Sequence, residues 1–287
     1  MSHTQVFAPA KINLFLHILG RRPDGFHELR SLMVPISLGD RLSVELTRDG
    51  GVSFACNQPN VPAGKENLVV QAAALWLKEF GQGHGVRVFL HKEIPIGAGL
   101  GGGSSDAAAT LLALRTLTGN PPSVEELVPL AAQLGSDIPF FLFRAPALCL
   151  GRGEQVTPIP WEEPLFGVLF YPGFRVPTAW AYSAYDRDPA MGKPGPVFFF
   201  GQLRNDLEKP VFRKFLWLPA AKTWLENQPE VEGALMSGSG SSLFALLSDP
   251  EQKESLIGKW HEVFGEEGWV KTFQVLPSVP LWPPPSL

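Results

Sequence analysis

Cysteine is scarce in this chain. Cys56 and Cys149 are the only two among 287 residues, too few for a disulfide framework or a thiolate zinc site, and two buried thiols in a reducing cytoplasm is the expectation. An excess of charge of one sign is missing too. Lys plus Arg number 24 against 28 acids, a net charge of −4, so bulk electrostatics favours neither nucleic acid nor an anionic membrane, and any anion site has to be local. No apolar run approaches the ~18 residues of a membrane span. Met1-Ser2-His3-Thr4 leads straight into patterned sequence with no charged-then-apolar leader, which predicts an untargeted protein.

Glycine is abundant, and its placement is informative. The run Pro95-Ile96-Gly97-Ala98-Gly99-Leu100-Gly101-Gly102-Gly103-Ser104-Ser105 holds five glycines within seven residues and opens into an alanine-rich helix expected over Asp106–Leu117. Such a backbone exposes N–H groups that approach a polyphosphate closely, and the helix directs its positive end at the anion. Ser104 and Ser105 stand where that helix starts, suited to capping, to phosphate or to a metal. A P-loop is excluded because Gly103 occupies the place of its lysine. The spacing Gly97, Gly99, Gly102 matches a dinucleotide fingerprint only formally: Pro95 separates it from the preceding strand, and residues 112–122 contain no acid for a ribose.

A hydrophobic content of 45% supports one large or two medium cores. Strands are expected at Gln5–Phe7, Ile12–Leu19, Met33–Ile36, Asp40–Leu46, Gly51–Ala55 and Gly85–His91. Helices are expected at Asn67–Phe80, after the glycine run, and from a Ser123 cap to Leu134. Further on, Ala147–Leu150, Leu165–Tyr171 and Leu243–Leu247 read as strands. Thr178–Tyr185, Gln202–Asp206, Lys209–Leu216, Leu218–Glu226 and Pro250–Phe264 read as helical. A boundary near residues 144–160 divides the chain into domains 1–150 and 151–287. Pro189–Pro196 is expected as a long loop, and Pro277–Pro285 as an extended peripheral tail.

Three other segments carry candidate site chemistry. In Ala8-Pro9-Ala10-Lys11-Ile12-Asn13-Leu14, strand alternation sends Lys11 and Asn13 to one face. In Leu134-Gly135-Ser136-Asp137-Ile138-Pro139, an isolated carboxylate sits in apolar company, either as a helix cap or as a site acid. Ser237-Gly238-Ser239-Gly240-Ser241-Ser242 is a second glycine-serine loop, placed just before a strand.

Taken in order, Pro9-Ala10-Lys11-x-Asn13, the glycine run, Gly135-Ser136-Asp137-x-Pro139 and the second loop resemble the galactokinase, homoserine, mevalonate and phosphomevalonate (GHMP) kinase superfamily. The segment Arg22-Pro23-Asp24-Gly25-Phe26-His27-Glu28-Leu29-Arg30-Ser31-Leu32 is similar to the branch acting on 4-diphosphocytidyl-2-C-methyl-D-erythritol. The resemblance implies a two-domain α+β fold, with a ribosomal-S5-like N-terminal domain and a ferredoxin-like C-terminal domain. It implies phosphorylation of an alcohol by ATP with Mg²⁺ in a cleft between them, as one step of non-mevalonate isoprenoid precursor synthesis.

By position, Asp137 and Lys11 are the implied catalytic pair. Asn67, Leu68, Lys92 and Pro95 to Ser105 would hold the nucleotide. Asn13, Phe26, His27, Thr178 and Tyr182 would hold the cytidine substrate. Phe26 and Tyr182 exchange the aromatic types found in some members, which preserves stacking and redistributes hydroxyls. Asp106 is not assigned to a metal, and no dedicated metal glutamate is identified. A monomer or weak homodimer is expected. The alternatives are a homoserine- or mevalonate-type kinase, which shares the glycine loop and Asp137 without the Phe26-His27 segment, and a non-catalytic nucleotide-binding protein on the same scaffold.

Overall fold

A computed structural model describes residues 2–81, 83–119, 121–266 and 268–283. The chain runs β1 (His3–Arg21), β2 (His27–Thr47), β3 (Gly51–Cys56), α1 (Leu68–Phe80), β4 (Gly85–His91), α2 (Gly102–Leu117), α3 (Val124–Leu134) and α4 (Ile138–Phe143). It continues through β5 (Ala147–Gly151), β6 (Gln155–Pro158), β7 (Phe166–Tyr171), α5 (Thr178–Arg187), β8 (Val197–Phe198), β9 (Gly201–Gln202), β10 (Arg204–Asn205), α6 (Glu208–Lys214) and α7 (Trp217–Glu226). β11 (Val231–Met236), β12 (Leu243–Leu247), a 3₁₀ turn (Pro250–Gln252), α8 (Lys253–Phe264) and β13 (Trp269–Gln274) complete it.

The first sheet has the order β10-β1-β2-β4-β3, with β5 also on β2 and β6 on β5. The second is antiparallel, in the order β11-β12-β7-β13. Helices α1, α2 and α4 cover one face of the first sheet through Trp76, Ala108, Leu111, Phe140 and Phe141. Ile12, Leu14, Val34 and Ile36 on the other face meet Leu169, Leu235, Phe244 and Phe273 of the second sheet. α5–α8 close the far side of the second sheet around Phe170, Leu218, Leu225 and Trp260. The expected α+β architecture is what these layers form.

One irregularity in the β1–β2 pairing decides which side chains reach the helix face. The register against β2 shifts between Pro9 and Lys11. Across it β1 advances two residues, Pro9 to Lys11, while β2 advances four, Gly39 to Pro35, and the faces that the two strands present exchange. Val6 therefore packs beneath the helices while Ile12 and Leu14 turn to the second sheet. Lys11 and Asn13 emerge on the helix side, where Asn13 lies opposite Met33.

Several expectations are corrected. The four early strand pieces are two long continuous strands, β1 and β2. Helix α2 begins at Gly102, four positions before Asp106. Gln202–Asp206 is not helical: β9 and β10 occupy it, because the fully buried Asn205 spends its amide on the carbonyls of Met236 and Gly238, both at 2.7 Å. Strands β6, β11 and β13 were not anticipated. β5 continues to Gly151, and the first sheet runs on through β6 to Pro158 and takes up β10. Cys149 is buried but Cys56 only half-buried, and both are unpaired.

The start of the tail is packed on the first sheet rather than projecting from it. Val275 bridges Ile36, and Leu276 and Val279 bury against Phe7. Of the expected proline tail, Pro284 and Pro285 lie outside the described residues.

Candidate active site

The two glycine loops are in contact. Ser237 donates its hydroxyl to the Gly99 carbonyl at 3.0 Å, and the Ser242 N–H reaches the Ala98 carbonyl at 3.0 Å. Gly97, Gly99 and Gly101 take φ of +72°, +82° and +72°, a region that L side chains resist. At Gly102 a Cβ would lie 2.8 Å from the Lys92 ammonium. Beside the loops opens a cavity of about 840 Å³. Every residue expected in the site lines it except Ser105, which is buried beneath with its hydroxyl unpartnered.

At the centre, Lys11 and Asn13 share the face created by the irregularity in the β1–β2 pairing. The Lys11 ammonium donates to Asn13 Oδ1 at 2.5 Å, Asn13 Nδ2 donates to Ser31 Oγ at 2.8 Å, and Ser31 donates to the Phe15 carbonyl at 2.7 Å. With its amide oxygen engaged and oriented, Asn13 fixes where the ammonium stands. Asp137 Oδ2 lies 4.0 Å from Lys11 Nζ. The carboxylate of Asp137 makes no capping hydrogen bond although the residue precedes α4, so the reading of Asp137 as a side-chain cap is not met. Its side chain is 35% exposed while that of Lys11 is 4%. Burial pushes the Lys11 pKa below its ordinary value, and Asp137 opposes part of that shift.

Lys92 is not a surface lysine. Its ammonium is clamped between Asp40 of β2 and Asp106 of α2, with 2.7 Å to Asp106 Oδ2. Asp40 also accepts the N–H groups of Glu93 and Ile94 at 2.6 and 2.9 Å. Burial alone would lower the Lys92 pKa, but the two acids outweigh it and raise it. Burial raises Asp106, whose Oδ1 has no partner. Lys92 thus braces the floor of the glycine loop, and its charge is already committed. Asn67 is likewise engaged, capping α1 through Val69 N–H at 2.8 Å and donating to the Pro62 carbonyl at 2.6 Å. Leu68 is close to the loop, its Cδ1 standing 3.7 Å from where a Gly103 Cβ would be.

The opposite end of the cavity is aromatic. His27 stacks on Tyr182 at 4.9 Å between centroids, and Arg152 covers the ring of the exposed Phe26 at 4.7 Å. Burial, with the charge of Asp137 adding, pushes the Tyr182 phenol up. Thr178 and Ser239 hydroxyls meet at 3.0 Å, joining α5 to the second glycine loop. The sequence reading missed Arg152 and Asp186 at this end and Asp40 at the other, where it left Asp106 unassigned. Asp186 had a signal: Thr178, Tyr182 and Asp186 are spaced by four, one face of one helix.

Comparison with known proteins places the chain in a family. The family model for the GHMP kinases N terminal domain matches residues 67–145, and that for GHMP kinases C terminal matches 197–266. A 4-diphosphocytidyl-2-C-methyl-D-erythritol kinase of Methylacidiphilum infernorum is 48% identical over 275 residues, covering 94% of this chain and 96% of the relative. One from a Geobacter species is 37% identical over 278 residues, covering 94% and 97%. A crystal structure of 4-(cytidine 5'-diphospho)-2C-methyl-D-erythritol kinase superposes with a TM-score of 0.79 at 38% identity, over 95% of this chain and 99% of that one. Homoserine kinase from Cytophaga hutchinsonii, at 19% identity and a TM-score of 0.71 over 97% and 96%, shares the fold. The chain belongs to the GHMP kinases and, within them, to the 4-diphosphocytidyl-2-C-methyl-D-erythritol kinase family.

Proposed function

We propose that this protein transfers the γ-phosphoryl group of ATP to the 2-hydroxyl of 4-diphosphocytidyl-2-C-methyl-D-erythritol, a step in non-mevalonate isoprenoid precursor synthesis. One observation carries the reading: the Lys11–Asp137 pair lies in a single cavity with a glycine-rich anion cradle at one end and the stacked His27–Tyr182 pair at the other.

Asp137 orients the acceptor hydroxyl and takes its proton as the oxygen–phosphorus bond forms and ADP departs. Lys11, held by Asn13, keeps Asp137 ionised and offsets charge on the phosphoryl oxygens. The N–H groups of Gly97 to Ser104 cradle the phosphates, with Ser105 supporting the first turn of α2. Asn67, Leu68 and Lys92 shape the adenosine end. Asn13 reaches the sugar alcohol, and Phe26, His27, Thr178 and Tyr182 hold the cytidine.

Mg²⁺ bound with the ATP phosphates would neutralise their charge. Among the described residues no group of three or more His, Cys, Asp or Glu is placed to hold a metal, and Asp106 is already bonded to Lys92. No step is assigned through a protein-held magnesium.

A monomer or weak homodimer is proposed. No described helix is long and apolar enough to cross a membrane. The two unpaired thiols support a cytoplasmic setting.

ATP consumption with Mg²⁺, measured in parallel with the cytidine alcohol, homoserine and mevalonate, tests the function. Turnover confined to the cytidine substrate, and reduced about 10²–10⁴-fold in Asp137→Asn, is expected. Turnover with another alcohol alone would overturn the substrate, and none with any would leave a nucleotide-binding protein.

A further inference from the structure

We propose that Asp186 is a positioning residue that sets the base selectivity of the cavity by fixing the tautomer of His27. The inference rests on the cytidine substrate proposed above. His27 begins β2 and is 8% exposed. Its ring is held on one face by Tyr182 and met edge-on by Tyr185 at 6.3 Å. In that fixed plane, His27 Nε2 lies 2.6 Å from Asp186 Oδ1. An ionised carboxylate only accepts hydrogen bonds, so Nε2 carries the hydrogen.

In the neutral ring Nδ1 is then left with its lone pair. Among the described residues Nδ1 has no hydrogen-bond partner, and His27 lines the cavity. The neutral ring therefore carries an acceptor on a residue that lines the cavity. Cytosine carries an amino group, a donor, at the ring position where uracil carries a carbonyl oxygen. That donor satisfies the Nδ1 lone pair; the carbonyl faces it lone pair to lone pair, and an unmatched polar contact in a confined site is costly.

Asp186 is itself held in place. It lies on α5 one turn beyond Tyr182, and its Oδ2 is 3.8 Å from Arg21 on β1. The same carboxylate thus ties α5 to the β1–β2 hairpin across the mouth of the cavity. Without it, the imidazole is free to carry its hydrogen on Nδ1 and accept either base.

The test separates this inference from the kinase assignment by reading nucleotide binding rather than turnover. With the glycine loop saturated by a non-hydrolysable ATP analogue, calorimetry gives Kd for cytidine 5′-diphosphate and uridine 5′-diphosphate on wild type, Asp186→Ala and Asp186→Glu. Wild type should favour the cytidine nucleotide by about tenfold or more, the scale of one well-placed hydrogen bond. Asp186→Ala should lose most of that ratio, and Asp186→Glu should regain part. In ¹⁵N-histidine-labelled wild type, the His27 signal, assigned by its loss in His27→Gln, should report hydrogen on Nε2.

An unchanged cytidine-to-uridine ratio in folded Asp186→Ala overturns the inference. So does hydrogen on Nδ1 in wild type, a readout that holds even where the alanine variant fails to fold. Absence of ATP turnover with the cytidine alcohol would instead overturn the kinase assignment, leaving the binding ratio to decide this one.

Discussion

Ser237 and Gly99 join the two glycine loops: the serine hydroxyl bonds the glycine carbonyl at 3.0 Å, and a Cβ on Gly99 would lie 2.4 Å from the Ser237 carbonyl oxygen. The obstacle is backbone, which cannot swing aside as a side-chain tip would. Gly99 also sits at φ +82°, where a side chain is strained by roughly 1–3 kcal/mol. Gly99→Ala should therefore separate the loops, raise the KM for ATP at least tenfold and lower Tm. Steady-state kinetics with varied ATP checks this; an unchanged KM would mean that the contact does not shape the nucleotide cradle.

Lys92 should matter for stability before it matters for chemistry. Removing one partner from a buried charge cluster leaves the others uncompensated, at a cost of about 3–5 kcal/mol. Lys92→Met leaves Asp40 and Asp106 facing each other, and denaturant unfolding should show a loss of that size. Adding Asp106→Leu should recover part of it, a non-additivity expected of groups in contact. Because the folded pKa of Lys92 is raised, its stabilisation is complete below 10.5 and declines as pH rises through the folded value. Wild type and Lys92→Met should therefore converge in stability at strongly alkaline pH.

What was legible in the sequence divides along physical lines. Lys11 and Asn13 were readable as one face because strand alternation is local, but the irregularity that turns that face toward the helices is a property of the β1–β2 register. The glycine run was readable because few backbones other than a phosphate cradle need so many freed φ angles. Lys92 could not be understood from its neighbours: its partners Asp40 and Asp106 come from a different strand and from a helix. Gln202–Asp206 misled for a related reason. Local propensity suggests a turn of helix there, whereas Asn205 is recruited by carbonyls of the distant second loop, and tertiary hydrogen bonding overrides it. Asp186 shared a helical face with two recognised residues, and applying the four-residue spacing once more would have found it.

Lys11 sets an expectation for the alkaline side of the pH profile. Its role requires the ammonium form. Burial moves its pKa below 10.5, so charge is lost earlier than for a solvated lysine. The kcat of the wild-type enzyme should fall on an alkaline limb with an apparent pKa below 10.5. Lys11→Arg, which stays charged throughout that range, should lack the limb while turning over more slowly, since its planar head does not fit the place of the ammonium beside Asn13. A limb that persists unchanged in Lys11→Arg would assign the titration to another group.

The tail bears on the helix that follows Asp137. α4 has only six residues and ends at Arg144, held at φ +54°, a strained conformation for a residue other than glycine. Arg144 Nε donates to the Val279 carbonyl at 2.9 Å, its guanidinium also reaches the carbonyls of Phe7 and Pro280, and Val279 N–H returns to the Arg144 carbonyl at 2.9 Å. Burial lowers the Arg144 pKa to about 10, so removing its acceptors leaves a costly half-solvated cation. A chain ending at Val275 loses the bonds with Val279 and Pro280, keeps the one to Phe7, and loses the burial of Leu276 and Val279 over Phe7. Apolar burial and hydrogen bonding, offset by the entropy of ordering the tail, put the loss at about 2–4 kcal/mol. With the far end of α4 released, Asp137 at its near end should be less well positioned. The shortened enzyme should show a lower Tm and a kcat reduced several-fold, while its Kd for ATP stays within about twofold because the glycine loop is anchored elsewhere. Equal losses in kcat and in ATP affinity would show that the tail supports the whole domain rather than the position of Asp137.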